Sequence, residues 1–162
     1  MPSPRVFNPD DYLWTPDGRI YSEERNAAAW ERMYADLDAV LRIAEPETRL
    51  FVVMGVQGGG KTTWIRSNHE ALGPSAIFVD AAVPARRHRE RVLDLAKRSG
   101  VRTVAVWINA PLDRALAQNA QRPDDEVVPE SAVRSVFGLL EAPGPDEGFT
   151  EVIVINDRAA DA

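Results

Sequence analysis

Eight consecutive residues have the types and spacing of a loop that binds phosphate groups. Residues 55–62 read GVQGGGKT and match the pattern GxxxxGK followed by Ser or Thr at every fixed position. Glycines let the backbone turn its amide hydrogens inward around an anion, and a helix starting after the loop adds its positive end. Lys61 is expected to reach the β- and γ-phosphates of a nucleotide, and the Thr62 hydroxyl to ligate Mg²⁺. The residues predicted to bind ATP and Mg²⁺ are Gly55, Gln57, Gly58, Gly59, Gly60, Lys61, Thr62 and Thr63.

An acidic side chain ends the next apolar stretch. Asp80 follows the run AIFV at 76–79 and lies nineteen residues after Lys61. Ligands bind at the carboxyl edge of an open α/β sheet, where this side chain is expected. A carboxylate there can accept the proton of an acceptor hydroxyl or hold Mg²⁺ through water. The sequence leaves open whether Asp80 is the base, the metal-associated acid or both, and the simplest alternative is an Asp that only terminates a strand.

Three arginines follow at positions that suit phosphate chemistry. Arg122 lies in a polar stretch at 122–126 between two expected helices, where a lid would close and neutralise charge on the transferred group. Arg86 and Arg87 open a basic helix after Asp80, where they could hold a phosphate on the acceptor. For Arg122 the alternative is an ordinary surface arginine, and for the other two it is a solvated helix face.

The patterns around these residues predict alternating strands and helices. Apolar runs predict buried strands at 50–54, 76–79, 101–108 and 152–155, and helical spacing with capping signals predicts helices at 23–44, 62–72, 84–99, 111–121 and 129–140. This alternation gives a parallel sheet with helices on both faces in a single α/β domain. The expected organisation is an N-terminal arm and helix packing on the core at 1–45, a core at 46–156 with a lid around 118–129, and a frayed tail at 157–162. The Pro-Asp-Gly turn at 16–18 predicts either a small hairpin or an irregular arm.

The composition narrows the class of protein. The chain has 162 residues, a net charge of −6 and no cysteine, which excludes disulfides and thiolate metal sites. We expect a cytoplasmic protein without a membrane partner, because no signal peptide and no apolar run long enough to span a bilayer occur. The acidic balance disfavours long duplex contacts but allows a small substrate or the end of a single strand.

About two thirds of the chain resembles the kinase domain of polynucleotide 5′-hydroxyl kinases. The resemblance is carried by QNAQR at 118–122, VP at 128–129, LEAP at 140–143 and DEGF at 146–149, and it runs from about Leu50 to Ile155. It implies that Arg122 supports phosphoryl transfer from the lid. Two departures stand out: Gln118 replaces the first lid arginine of that family, and Asp80 is the single acid where the family has two acidic landmarks.

These observations predict a P-loop NTPase fold and an ATP-dependent kinase. The Asn-Lys-x-Asp motif of GTPases is missing, and Asp80 is not followed by the second acid typical of mechanical ATPases. In the predicted reaction, Lys61, Asp80 and Arg122 are catalytic, and Thr62 and Asp80 hold the metal. The predicted acceptor is a hydroxyl group, with a polynucleotide 5′ end favoured by the resemblance. The alternatives are a nucleoside or small-metabolite kinase and a non-catalytic ATP-binding switch.

Overall fold

The computed structural model describes residues 4–156, and the tail predicted to fray at 157–162 lies outside the described residues, as do residues 1–3. The strands are β1 (Arg5–Phe7), β2 (Trp14–Thr15), β3 (Gly18–Arg19), β4 (Arg49–Met54), β5 (Ala76–Asp80), β6 (Arg102–Asn109) and β7 (Glu151–Asn156). The α-helices are α1 (Glu23–Arg42), α2 (Lys61–Leu72), α3 (Arg86–Arg98), α4 (Leu112–Ala120) and α5 (Glu130–Gly138). Short 3₁₀ turns cover Pro9–Leu13 and Pro145–Glu147.

Five of the strands form a parallel sheet in the order β1-β5-β4-β6-β7. Strands β4 and β5 are almost wholly buried, as their continuous apolar runs predict for a sheet covered on both faces. Val53 pairs with Asp80, and Met54 pairs with Trp107, so the carboxyl ends of the three central strands lie side by side. This register brings Asp80 next to the start of the glycine-rich loop.

Helices cover both faces of the sheet. Leu37 and Leu41 of α1 and Val92 of α3 belong to the apolar cluster on one face, whereas Ile65 of α2 belongs to the cluster on the other. Helices α4 and α5 form a third cluster with Val56 above the glycine-rich loop. The predicted single α/β domain with a parallel sheet is confirmed. Within residues 4–156, no helix combines the length and low polarity needed to cross a membrane.

The N-terminal arm adds a strand that the sequence did not predict. Strand β1 pairs in parallel with β5 at the edge of the sheet, with Val6 opposite Phe78. The arm continues through the 3₁₀ turn and the β2–β3 hairpin, where the Pro-Asp-Gly turn was expected. It then reaches α1, whose first turn is capped by the Ser22 hydroxyl accepting a hydrogen bond from Arg25 N at 3.1 Å.

Helix α3 begins two residues later than Pro84, the start that the sequence predicted. The Pro84 carbonyl accepts a hydrogen bond from Glu141 N at 2.8 Å, so it is used by a distant segment rather than by the first helical turn. Arg86 therefore becomes the first helical residue.

Candidate active site

The glycine-rich loop joins β4 to α2 and depends on glycine at two positions in particular. Gly58 has a φ of 79°, and a Cβ added there would overlap the carbonyl oxygen of Ala115 and lie 2.9 Å from Asn119 N. Helix α4 therefore packs directly on the backbone of the loop. Gly60, at the start of α2, has a φ of 109°, which lets the amides at the helix N-terminus face the space above the loop.

The Lys61 side chain lies along the loop backbone. Its Nζ donates hydrogen bonds to the carbonyl oxygens of Gly55 at 3.1 Å and Val56 at 3.0 Å. Burial lowers the pKa of Lys61, the negative charge of Asp80 opposes that shift, and the positive charge of Arg122 adds to it. The ammonium group thus has partners that phosphate oxygens can replace, and it lies within electrostatic reach of both other predicted catalytic residues.

Thr62 and Asp80 are in direct contact, as a shared metal site requires. The Thr62 hydroxyl donates a hydrogen bond to Asp80 Oδ2 at 2.7 Å, and Asp80 is only 4% exposed. A hydroxyl and a carboxylate are hard oxygen ligands that suit Mg²⁺, which takes few protein ligands and completes its shell with phosphates and water.

The end of α4 and the segment that follows it, where the sequence predicts a lid, form hydrogen bonds with the glycine-rich loop and with each other. With its amide oriented to satisfy its neighbours, Gln118 donates to the carbonyl oxygen of Gly58 and accepts from Arg114 Nε at 2.9 Å. Asn119 holds Val128 through hydrogen bonds of 2.6 and 3.0 Å. Gln118 therefore links α4 to the glycine-rich loop at the position where the 5′-hydroxyl kinases that the sequence resembles have an arginine.

A cleft of about 850 Å³ opens above the loop and has two different walls. One wall consists of the loop, Asp80 and the lid, and it includes Lys61, Thr62 and Arg122. The other wall comes from the N-terminal arm and the start of α1, and its polar and aromatic members are Asn8, Asp10, Arg19, Tyr21, Asn26 and Trp30. The sequence alone assigned none of these arm residues to a functional site. The only signal was the concentration of acidic and aromatic residues before α1.

Arg19 connects the two walls. Its guanidinium donates to Asp10 Oδ2 at 3.3 Å and to the backbone carbonyl of Asp125 at 3.3 Å, and its backbone amide donates to Asp125 Oδ2 at 3.4 Å. The Arg19 side chain is only 11% exposed, whereas Asp10 is 41% exposed and the contacts with Asp125 lie at the protein surface. The arm is thus attached to the lid segment on the far side of the cleft.

The arm also brings negative charge toward Asp80. Partial burial, followed by the charges of Asp80 and Asp10, raises the pKa of Asp11, and Arg19 opposes the shift. Asp10 in turn acts on Lys61, whose pKa its charge raises against the dominant effect of burial. Carboxylates from the arm therefore lie within electrostatic reach of the Lys61–Asp80 centre.

The structure does not bring Arg86 and Arg87 to the cleft. Arg86 forms an ion pair with Asp146, with one contact at 3.1 Å, and neither arginine is among the described residues that line the cleft. The buried Arg89 pairs with Glu147 at 2.8 and 3.1 Å. The DEGF segment that resembles the 5′-hydroxyl kinases thus anchors α3 through two ion pairs.

A second groove of about 470 Å³ continues from the other side of the loop. Its lining includes Trp64, Asn68 and Arg114, and it ends at Asn109 and Asn156 on two adjacent strands. Asn109 Nδ2 donates to Asn156 Oδ1 at 3.0 Å. This groove has the flat and amide side chains that suit a nucleoside base.

Comparison with known proteins agrees with this fold. Residues 73–143 match a protein family described as an AAA domain; the match starts after the glycine-rich loop and includes Asp80, Gln118 and Arg122. The sequence matches no curated protein at a significant level. The fold resembles the native crystal structure of the AvrRxo1-ORF1:-ORF2 complex, with a TM-score of 0.50 and 17% identity over 82% of this chain. The similarity spans 60% of the other chain, and at 17% identity it bears on the fold alone. Together with the loop geometry, the matches identify a P-loop NTPase fold.

Proposed function

We propose that the protein is an ATP-dependent kinase that transfers the γ-phosphoryl group to the hydroxyl of a small acceptor. The observation that carries the proposal is the hydrogen bond from Thr62 to buried Asp80, beside Lys61 and below a lid that contributes Arg122. These are the parts that phosphoryl transfer needs: a phosphate cradle, a metal site and a cation over the transferred group.

On the phosphate side, each residue has one task. Backbone amides of the loop bind the β- and γ-phosphates, and Lys61 exchanges its carbonyl partners for phosphate oxygens. Thr62 and Asp80 hold Mg²⁺, which neutralises charge on the phosphates when bound. Arg122 stabilises the charge that develops on the transferred group. The groove that includes Trp64 would hold the nucleoside.

On the acceptor side, the cleft favours a small molecule over a nucleic-acid strand. The cations that line it among the described residues, Lys61, Arg19 and Arg122, are matched by three aspartates. Strand binding depends on unpaired basic residues that follow the phosphates, and Arg86 is committed to Asp146. A volume of about 850 Å³ suits a nucleotide phosphate group with a compact acceptor. The polynucleotide 5′ end implied by the resemblance remains the second acceptor to test.

The test is transfer from γ-labelled ATP with Mg²⁺ to a panel of hydroxyl compounds and a 5′-hydroxyl oligonucleotide. Lys61→Ala serves as the blank, and Lys97→Ala on the exposed end of α3 is the matched control. Wild type and Lys97→Ala are expected to give a labelled acceptor, and Lys61→Ala none. ATP binding that never labels an acceptor would overturn the kinase proposal in favour of an ATP-binding switch. A labelled oligonucleotide would replace the small acceptor by a strand end.

A further inference from the structure

Part of the cleft above the glycine-rich loop is apolar and has no task in the phosphoryl transfer proposed above. The residues assigned to that reaction, Lys61, Thr62, Asp80 and Arg122, are polar. The apolar and aromatic residues that line the same cleft, here called the apolar subsite, are Leu13, Tyr21, Trp30, Val127, Val128, Pro129, Ala132 and Val136. Apolar lining beside a few polar groups is typical of a site for a small molecule. The apolar subsite therefore suits a part of the acceptor other than its reacting hydroxyl.

Hydrogen bonds between the arm and the lid segment bring two sides of the apolar subsite together. Arg19 donates from its backbone amide and from its side chain to Asp125. Two residues further along each segment, Tyr21 and Val127 both line the cleft and are 66% and 39% exposed. Burial of such exposed apolar surface is favourable, so a ligand that covers both side chains gains affinity.

Two helices contribute further residues to the cleft at helical spacing. Asn26 and Trp30 of α1 lie four residues apart and both line the cleft, as do Ala132 and Val136 of α5. The Trp30 ring is partly buried and packs against Tyr34 with 5.5 Å between the ring centroids, which restricts its orientation. An aromatic ring held in this way, with an amide side chain one turn away, suits a flat ring better than a flexible chain.

The glycine-rich loop contributes a buried oxygen that suits the hydroxyl of the same ligand. Gln57 lines the cleft, and its Oε1 is buried without a hydrogen-bond partner among residues 4–156. Buried polar atoms are rarely left unpaired, so a ligand that donates a hydrogen bond fits at this position. Unprotonated phosphate groups only accept hydrogen bonds, whereas a hydroxyl also donates one. A ligand with a ring and a hydroxyl would match both the apolar subsite and Gln57.

We propose that the acceptor is a hydroxyl compound that carries an aromatic ring, and that this ring binds beside Tyr21 and Trp30 in the apolar subsite. The inference rests on the proposed kinase function and names its substrate class. The hydroxyl oxygen bonds to the γ-phosphorus while the bond from that phosphorus to the bridging oxygen breaks. ADP keeps the electron pair of the broken bond, and the hydroxyl proton passes to solvent. The ring is unchanged and positions the hydroxyl. Nucleosides and other aromatic alcohols share this chemistry, and the test separates them.

The experiment measures acceptor affinity by calorimetry, with the nucleotide site filled by Mg²⁺ and a non-hydrolysable ATP analogue. Two pairs of compounds differ in the aromatic ring: adenosine against ribose, and benzyl alcohol against cyclohexylmethanol. In at least one pair, the aromatic member is expected to bind about fivefold more tightly than its partner. Transfer from γ-labelled ATP to each compound is measured in parallel.

Variants of the arm locate the ring. Tyr21→Ala is expected to weaken binding of the aromatic compound about tenfold, the scale of one lost stacking contact. Tyr21→Phe keeps the ring and should stay within about twofold of wild type, which a folding defect in Tyr21→Ala would not explain. Trp14→Ala is the matched control, because Trp14 is an exposed aromatic residue of the same arm and is not among the described residues that line the cleft. It should bind as tightly as wild type.

The outcomes separate this inference from the kinase function. Selective binding of adenosine alone would support a nucleoside acceptor, and selective binding of benzyl alcohol would support another aromatic alcohol. Equal affinities within both pairs, or equal losses in Tyr21→Ala and Trp14→Ala, would overturn the ring site and leave the kinase function standing wherever another hydroxyl compound is labelled. Ring compounds that bind through Tyr21 while no compound is ever labelled would overturn the kinase function, and the role of the ring compound as acceptor with it.

Discussion

The two walls of the cleft differ in how they are built. The wall formed by the glycine-rich loop, Asp80 and the lid segment, here called the phosphate wall, is built directly on the sheet. Strand β4 leads into the loop, β5 ends at Asp80, and α4 packs on the loop at Gly58. The arm wall is a series of short elements, with one three-residue strand at the sheet edge and a two-strand hairpin. It is attached to the opposite wall through Arg19.

This difference follows from what each wall would bind. Phosphate groups are the same in every nucleotide, so the wall that holds them needs inward amides, a lysine and a helix end at fixed spacing. Acceptors differ in structure from one kinase to another, so loops of many different sequences on a rigid scaffold can provide the contacts with them. We therefore expect changes in the phosphate wall to lower both the stability of the fold and the affinity for ATP, and changes in the arm to leave the affinity for ATP unchanged.

The largest expected effect is that of Gly58→Ala in the phosphate wall. The new Cβ would overlap the Ala115 carbonyl, and the φ of 79° is strained for alanine, so loop and α4 must separate. We expect the free energy of unfolding to fall by about 3 kcal/mol and ATP affinity to fall at least about tenfold. Urea unfolding and calorimetry measure the two effects.

Gly73→Ala is the matched control for that substitution. Gly73 has a similar φ of 88°, but nothing lies within 4 Å of the added Cβ, and the residue follows α2 far along the chain from the loop. Its ψ of 177° lies in a region almost restricted to glycine, so the variant should lose about 1–3 kcal/mol from backbone strain, but it should keep full ATP affinity. Equal losses of ATP affinity in the two variants would mean that packing of α4 on the loop does not support nucleotide binding.

A smaller effect is expected when the arm is detached with Arg19→Ala. The variant loses hydrogen bonds to Asp10 and Asp125 from a side chain that is 11% exposed, and we expect a cost of about 1–2 kcal/mol. Hydrogen exchange should speed up in the arm and the lid segment, whereas the amides at 55–60 and the affinity for ATP should stay unchanged.

Arg42→Ala is the control for the loss of an exposed charge, because Arg42 pairs with Asp38 on the surface of α1. That variant should leave exchange in the arm as it is in the wild type. If Arg19→Ala loosened residues 55–60 as much as the arm, the two walls would be one cooperative unit and the comparison between them would fail.

The sequence predicts the phosphate wall far better than the arm wall. Continuous apolar runs and a complete loop pattern specify the central strands, Lys61 and Thr62, because those signals are local. Strand β1 could not be predicted from three residues of mixed polarity, since it becomes a strand only by pairing with β5. Likewise Arg86 looked available for a substrate until the fold brought Asp146 to it from sixty residues away.

The smallest effect is expected for Asp11→Asn, which tests whether carboxylates of the arm interact electrostatically with Asp80. Since the pKa of Asp11 is raised by partial burial and by Asp80 and Asp10, its ionised form costs more in the folded chain than in the unfolded chain. Any stability from Asp11 is therefore present at low pH and lost as pH rises through the raised pKa. At pH 7 we expect Asp11→Asn to stabilise the fold by about 0.5 kcal/mol after discounting for solvent screening, or ~1–2 °C in Tm.

The pH and salt dependence of that gain separate the charge effect from other causes. It should shrink toward zero below about pH 3, where the carboxyl is protonated in both states, and only partly in 1 M salt, which screens Asp80 from the arm but leaves the effect of burial. Asp94→Asn, an exposed change on α3, controls for the fall in net negative charge. An equal gain from Asp94→Asn, or a gain that persists at low pH, would show that the arm is electrostatically separate from the Asp80 centre. A gain that is confined to Asp11 and falls in 1 M salt would mean that the arm wall and the Asp80 site act on each other before any ligand binds.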